Sequence, residues 1–87
     1  MSNKFGTVVD VRSIGEYESG HVEDSINIPL QELQLRLEEI KVLEQPIILC
    51  CASGLRSLQA TNYLKSFGIQ CENGGSWVEI SYKYQTA

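Results

Sequence analysis

Positive charge is scarce in this sequence of 87 residues, which has 7 Lys and Arg residues against 11 Asp and Glu residues and a formal net charge of -4. The few cations form no cluster along the chain. Proteins that bind nucleic acid or anionic membranes need such clusters to neutralise phosphate groups. We therefore expect neither nucleic acid nor a membrane surface as a partner.

Long apolar stretches are also missing. No segment approaches the roughly 18 apolar residues of a transmembrane helix, and residues 1–6 lack the apolar core of a signal peptide. We expect a cytoplasmic protein. Hydrophobic residues nevertheless make up 43% of the chain, which is too many for intrinsic disorder. Residues 1–87 are therefore expected to fold as a single domain, whose small size limits its stability.

Cysteine and histidine are few: the chain has Cys50, Cys51, Cys71 and His21. An odd number of cysteines without an export signal argues against a disulfide framework. The adjacent Cys50 and Cys51 do not have the spacing of zinc ligands, and His21 is distant in sequence. We expect reduced thiols and no metal site.

Short apolar segments alternate with helical patterns along the chain. The predicted strands are residues 7–11, 25–28, 47–50 and 69–72, and the predicted helices are residues 16–20, 29–40, 58–67 and 76–84, with Gly74 and Gly75 forming a turn. This alternation predicts an α/β fold with a mainly parallel sheet. The functional site is expected at the carboxyl ends of the strands.

The segment that begins at Cys51 reads Cys-Ala-Ser-Gly-Leu-Arg-Ser and lies between a predicted strand and a predicted helix. A loop that turns into a helix start directs its backbone N–H groups towards its own centre, which favours an anion there. We expect Cys51 to be the first residue of this loop, with the pKa of its thiol below that of a free cysteine. Ala52 and Ser53 are small enough for a tight loop, and Gly54 can adopt a positive φ.

These residues resemble the active-site loop of the rhodanese family, Cys-x-x-Gly-x-Arg-Ser, which is matched by Cys51, Gly54, Arg56 and Ser57. Four further segments resemble family motifs and follow in the family's order. They are Asp10-Val11-Arg12, Glu16-Tyr17 with Gly20-His21-Val22, Ser25-Ile26-Asn27-Ile28-Pro29, and Gly74-Gly75 with Trp77. The resemblance extends from residue 7 to about residue 80.

The resemblance implies a rhodanese-like three-layer fold, in which a mainly parallel sheet of four or five strands is flanked by helices. It also implies a thiosulfate sulfurtransferase. Cys51 would attack thiosulfate or another persulfide donor, hold the sulfane sulfur as a persulfide, and pass it to cyanide or a thiol. The implied partners are a small sulfur-containing anion or thiol, or a protein that donates or accepts sulfur, and no cofactor beyond the persulfide is implied.

The resemblance also assigns the other site residues. The loop that would hold the anion or the persulfide consists of Ala52, Ser53, Gly54, Leu55, Arg56 and Ser57. We expect Asp10, Arg12 and Glu16 to support this loop through hydrogen bonds, and Arg56 either to do the same or to help bind the anionic donor.

The sequence departs from the family in two ways. Six residues precede Thr7, where family members have an additional strand and helix, so a four-stranded sheet with an uncovered edge is one of the two expected forms. Ala52, Ser53 and Leu55 are uncharged where some members have Arg or Lys. Thiosulfate is therefore expected to be a weak donor.

Two other functions fit parts of the sequence. Counted from Cys50, five residues precede Arg56, which is the spacing of cysteine phosphatases, although those enzymes usually have His where this chain has Leu49. A catalytically silent module, or a sulfur relay for one partner, also fits the same fold. We expect Cys50 and Cys71 to pack in the core, and a role for Cys50 as a resolving thiol stays open.

Overall fold

Four β-strands alternate with helices over residues 6–85, the part of the chain that the computed structural model describes, with side chains described up to residue 83. The elements in chain order are β1 (Thr7–Asp10), α1 (Ile14–Glu18), β2 (Ile26–Asn27), a 3-10 turn (Leu30–Glu32), α2 (Leu37–Lys41), β3 (Ile47–Cys51), α3 (Leu55–Lys65), β4 (Cys71–Ser76) and α4 (Trp77–Gln85).

The four strands form one parallel sheet in the order β2-β1-β3-β4. Asp10 pairs with Asn27 on one side and with Cys50 on the other, so the carboxyl ends of β1, β2 and β3 lie side by side. Cys51 pairs with Ser76 at the end of β4. The predicted α/β fold with a four-stranded sheet is confirmed, and within residues 6–85 β4 is an edge strand, as expected.

Apolar side chains cover both faces of the sheet, because successive residues of a strand point to opposite sides. The larger cluster packs against α2 and α3 and includes Val9, Leu49, Cys51, Ile40 and Leu64. The smaller cluster packs against α4 on the opposite face. It consists of Val8, Val22, Ile48, Cys50 and Ile80, with Trp77 partly buried against it. These two clusters give the predicted three layers.

The helix predicted for residues 29–40 is interrupted. A 3-10 turn at Leu30–Glu32 and the short helix α2 replace it, and residues 33–36 form turns between them. The apolar spacing still places Leu33 and Ile40 in the core, while Leu35 between them is exposed. The spacing of apolar residues therefore identified the buried positions, but tertiary packing did not require one continuous helix to bury them.

The turn predicted at Gly74 and Gly75 is wrong, because both residues lie inside β4. The register between β3 and β4 shifts by one residue there: Leu49 pairs with Asn73, whereas Cys50 pairs with Gly75. Gly74 is the extra residue of this β-bulge. A Cβ atom on Gly74 would overlap the side chains of Ile80 and Ile48, so any other residue would force these neighbours to move.

Candidate active site

Cys51 is the last residue of β3 and not, as predicted, the first residue of the loop, which begins at Ala52. The difference arises because its pairing with Ser76 extends β3 by one residue. Cys51 has no exposed surface, whereas Ala52 and Ser53 of the following loop are exposed. The sulfur atom therefore lies beneath the loop, at the carboxyl end of the sheet.

Backbone N–H groups of the loop and of the first turn of α3 point at the sulfur. The Gly54 N–H donates a hydrogen bond to Cys51 Sγ at 3.0 Å, and the Ser57 N–H does so at 3.4 Å. Gly54 is the N-cap of α3 and has a φ of 100°, which is the positive φ expected from the sequence. This backbone turn directs the N–H groups of Gly54 and Ser57 to one sulfur atom.

These contacts change the ionisation of Cys51. Burial raises the pKa of the thiol, but hydrogen bonds from the Ser57 side chain and from the N–H groups of Ser57, Gly54 and Ser53 outweigh burial and lower it below the ordinary cysteine value. Each donor stabilises the thiolate more than the thiol, because a hydrogen bond to a charged acceptor is stronger. The geometry favours a nucleophilic thiolate at this position.

Glu16 and Arg56 connect α1 to the first turn of α3. The Arg56 guanidinium donates to both carboxylate oxygens of Glu16, at 2.8 and 3.0 Å. Ser13 is the N-cap of α1 and forms a reciprocal capping box with Glu16, which fixes the direction of the Glu16 side chain. The hydrogen bonds from Arg56 and Ser13 lower the pKa of Glu16 to about 2. Glu16 therefore contacts the start of α3, directly after the loop, through Arg56.

Asp10 and Arg12 form a buried ion pair at the end of β1, where Asp10 pairs with Cys50 of β3. The Arg12 guanidinium donates to both Asp10 carboxylate oxygens at 2.8 to 3.0 Å and to the Gly20 carbonyl at 2.7 Å. Its central carbon also lies 4.7 Å from the centroid of the Trp77 ring. These contacts connect the end of β1 to Gly20 and α4. That Asp10 and Arg12 support the loop directly through hydrogen bonds stays a prediction.

Cys50 lies on the opposite face of the sheet from Cys51. It packs in the smaller core cluster, and burial together with the negative charge of Asp10 raises its pKa to about 12. Cys50 is therefore protonated at neutral pH and faces away from the N–H groups of the loop. This argues against the phosphatase mechanism, which needs a thiolate at Cys50.

Cys71 is also a buried free thiol with a raised pKa, caused mainly by burial, as expected for a core residue.

Asn73 is a site residue that the sequence analysis missed. Its Oδ1 atom accepts hydrogen bonds from the Ser57 hydroxyl at 2.6 Å and from the Gly75 N–H at 3.0 Å, and its Nδ2 donates to the Gly54 carbonyl at 3.2 Å. The bulge in β4 determines its register beside β3. The predicted turn at Gly74 hid this position, since a strand continuing to Ser76 would have placed Asn73 beside Leu49.

Within residues 6–85 no group of three or more Cys, His, Asp or Glu residues is arranged to hold a metal ion. None of the helices in this part of the chain is both long enough and apolar enough to cross a membrane.

A comparison of the sequence with models of protein families gives the same family that the loop, the parallel sheet and the order of the motifs indicate. The model of the rhodanese-like domain matches residues 1–81 of this chain. The chain belongs to the rhodanese-like family. The predicted family is thus confirmed. The roles of individual rhodanese-like site residues, including Cys51, stay predictions.

Three similar proteins show how close the similarity is. The chain is 38% identical over 61 residues to the uncharacterized protein YqhL of Bacillus subtilis, covering 70% of this chain and 48% of that protein. It is 33% identical over 61 residues to a sulfurtransferase of Allochromatium vinosum, covering 70% and 56%. The solved structure of a rhodanese with anions from Escherichia coli matches with a TM-score of 0.74 and 32% identity, covering 82% of this chain and 86% of that one. The chain thus spans about half the length of the two curated relatives.

Proposed function

We propose that this domain is a sulfurtransferase that carries sulfane sulfur as a persulfide on Cys51. The main observation behind the proposal is the position of Cys51 Sγ, which accepts N–H hydrogen bonds from Gly54 and Ser57. The lowered pKa of the thiol and the similarity to a sulfurtransferase support the same function.

The reaction would proceed in two displacements at Cys51. The thiolate attacks the outer sulfur of a donor, a new S–S bond forms, and the old bond breaks, with its electron pair leaving on sulfite or on a thiolate. An acceptor, cyanide or a thiolate, then attacks the terminal sulfur, and Cys51 leaves as a thiolate. The protein provides the leaving group and the anion-stabilising N–H groups, so the proposed reaction involves no cofactor besides the persulfide.

The charges around Cys51 favour a donor with little negative charge. Arg12 and Arg56 are both ion-paired, with Asp10 and Glu16, and so neither presents a full positive charge to a dianion. The loop adds no charge at Ala52, Ser53 or Leu55. We therefore propose that the persulfide of a small thiol or of a protein partner is a better donor than thiosulfate. A second protein could also be the acceptor.

The donor must also reach a sulfur that has no exposed surface. Ala52 and Ser53 form the exposed outer side of the loop, and we propose that the donor approaches Sγ from this side. A reducing compartment such as the cytoplasm would keep the three free cysteines ready for this chemistry.

Intact-mass spectrometry tests the proposal. The protein is incubated with thiosulfate or with a small thiol persulfide, and we expect the addition of one sulfur atom, which cyanide or dithiothreitol removes. The thiol persulfide is expected to load the protein faster than thiosulfate at equal concentration. If no sulfane donor produces this adduct, the domain is a catalytically silent module.

The two adjacent cysteines provide a matched pair of variants. Cys51→Ser is expected to abolish the adduct and the transfer of sulfur to cyanide. Cys50→Ser is expected to keep most of the activity and to lose at most some stability, because Cys50 is packed on the other face. A folded Cys50→Ser variant that cannot be loaded, together with hydrolysis of an aryl phosphate by the wild type alone, would instead favour the phosphatase.

A further inference from the structure

The hydroxyl group of Ser57 lies between two acceptors. Ser57 Oγ is 2.6 Å from Asn73 Oδ1 and 3.5 Å from Cys51 Sγ, and Ser57 has no exposed surface. A serine hydroxyl has a single hydrogen, so it can donate to Asn73 or to Cys51 but not fully to both. The position of this one hydrogen depends on which acceptor is stronger.

The amide of Asn73 has a fixed orientation. The Gly75 N–H faces Oδ1 at 3.0 Å, while the Gly54 carbonyl, which also accepts from the Leu58 N–H, faces Nδ2 at 3.2 Å. A flipped amide would lose both bonds and would also place an N–H donor against Ser57. The atom that faces Ser57 is therefore the amide oxygen, which can only accept.

The protonation state of Cys51 then decides which arrangement is more stable. While Cys51 is a thiol, the short bond to Asn73 Oδ1 holds the hydroxyl hydrogen of Ser57, and a lone pair of Oγ faces the S–H group. When Cys51 gives its proton to solvent, the sulfur becomes a charged acceptor, which forms the stronger hydrogen bond. The hydroxyl can then turn to Sγ, and Oδ1 keeps the bond from the Gly75 N–H.

We propose that Asn73 is a positioning residue that holds the Ser57 hydrogen away from Cys51 Sγ in the thiol state and releases it to the sulfur in the thiolate state. Asn73 acts through Ser57. The consequence for sulfur transfer rests on the proposed function of Cys51, whereas the exchange of the hydrogen bond does not.

A purely structural role for Asn73 would have the opposite effect on Cys51. The Nδ2 bond to the Gly54 carbonyl also ties the loop to β4. If this tie were the whole role, removing it would loosen the loop, weaken the Gly54 N–H bond to Sγ and disfavour the thiolate. If Asn73 competes for the Ser57 hydrogen, removing it favours the thiolate. The sign of the change distinguishes the two roles.

The test is a pH titration of the thiolate by its ultraviolet absorbance in Asn73→Leu and wild-type protein, with Cys51→Ser as the blank. Burial raises the pKa values of Cys50 and Cys71, so the titration near neutral pH reports Cys51. Leucine keeps the size of asparagine but removes its acceptor. At a fixed pH below the wild-type midpoint, we expect the thiolate fraction to rise about threefold in Asn73→Leu, as expected from the loss of one neutral hydrogen bond.

Two controls separate the proposed role from other effects. In a Ser57→Ala background, Asn73→Leu is expected to give no rise in the thiolate fraction, because no hydroxyl remains to be released. Asn62→Leu is the matched control, since Asn62 is an exposed asparagine within α3. Asn73 is itself exposed, so we expect Asn73→Leu to fold. If circular dichroism shows that this variant is unfolded, Asn73→Ala is used in its place.

A fall in the thiolate fraction, or no change, would overturn the proposal, and so would an equal rise in the Ser57→Ala background. The absorbance titration needs no sulfur donor. It therefore succeeds or fails independently of persulfide formation, which the mass measurement on the wild type reports separately.

Discussion

Removal of the Arg12 guanidinium should be among the most destabilising single changes near the site. Asp10 has no exposed surface and Arg12 is 4% exposed, so the pair is not screened by solvent as a surface ion pair would be. In Arg12→Met the apolar part of the side chain is kept, but the Asp10 carboxylate loses the guanidinium donors at 2.8 to 3.0 Å. A buried carboxylate would then lack its counter-charge.

The expected cost follows from this burial. Breaking a buried ion pair by removing one partner costs about 3 to 5 kcal/mol, because the remaining charge is left uncompensated. For a domain of this size, a loss of 3 kcal/mol lowers the melting temperature by about 12 °C or more. Arg12→Met also removes the donor to the Gly20 carbonyl and the cation over Trp77, so the upper half of the range is expected.

The prediction is tested by urea unfolding of Arg12→Met, Asp10→Asn and the double variant. The double variant leaves no unpaired charge, so it should cost clearly less than the sum of the two single variants. Arg36→Met is the matched surface control: Arg36 pairs with Glu32 and Glu39, its side chain is 32% exposed, and its loss should cost no more than about 1 kcal/mol. The reasoning would be refuted if the loss of unfolding free energy in the double variant equalled the sum of the losses in Arg12→Met and Asp10→Asn within about 0.5 kcal/mol.

Two further changes have expected outcomes. The pKa of Glu16 is lowered from 4.5 to about 2, so the ionised carboxylate stabilises the fold above pH 4.5, and this contribution is lost as the pH falls towards 2. When the stability of wild type and Glu16→Gln is measured against pH, the difference between their unfolding free energies should therefore disappear over that range. Gly74→Ala should cost about 1 to 3 kcal/mol in urea unfolding because its Cβ overlaps Ile48 and Ile80. Gly15→Ala, with no atom within 4 Å of the added Cβ, should cost nothing, and an equal loss in both variants would contradict the overlap argument.

The sequence predicted the elements whose signal is local. The β-branched segment before Asp10 and the apolar segment before Cys51 are strands, since such side chains suit a sheet that is buried on both faces. Gly54 adopts the positive φ that its place before a helix suggested. The helix of residues 29–40 and the turn at Gly74 were wrong, because both depend on packing against the sheet.

By itself, the sequence determined the α/β fold, the family and the choice of Cys51 as the candidate nucleophile, because motif order and strand-loop-helix spacing are properties of neighbouring residues. Only the tertiary structure decided which groups surround that sulfur. The bond from Arg56 to Glu16 joins residues 40 positions apart, and the bond from Ser57 to Asn73 crosses from α3 to β4 through a bulge. Such contacts depend on register and on side-chain direction, which are fixed only when the strands and helices pack together.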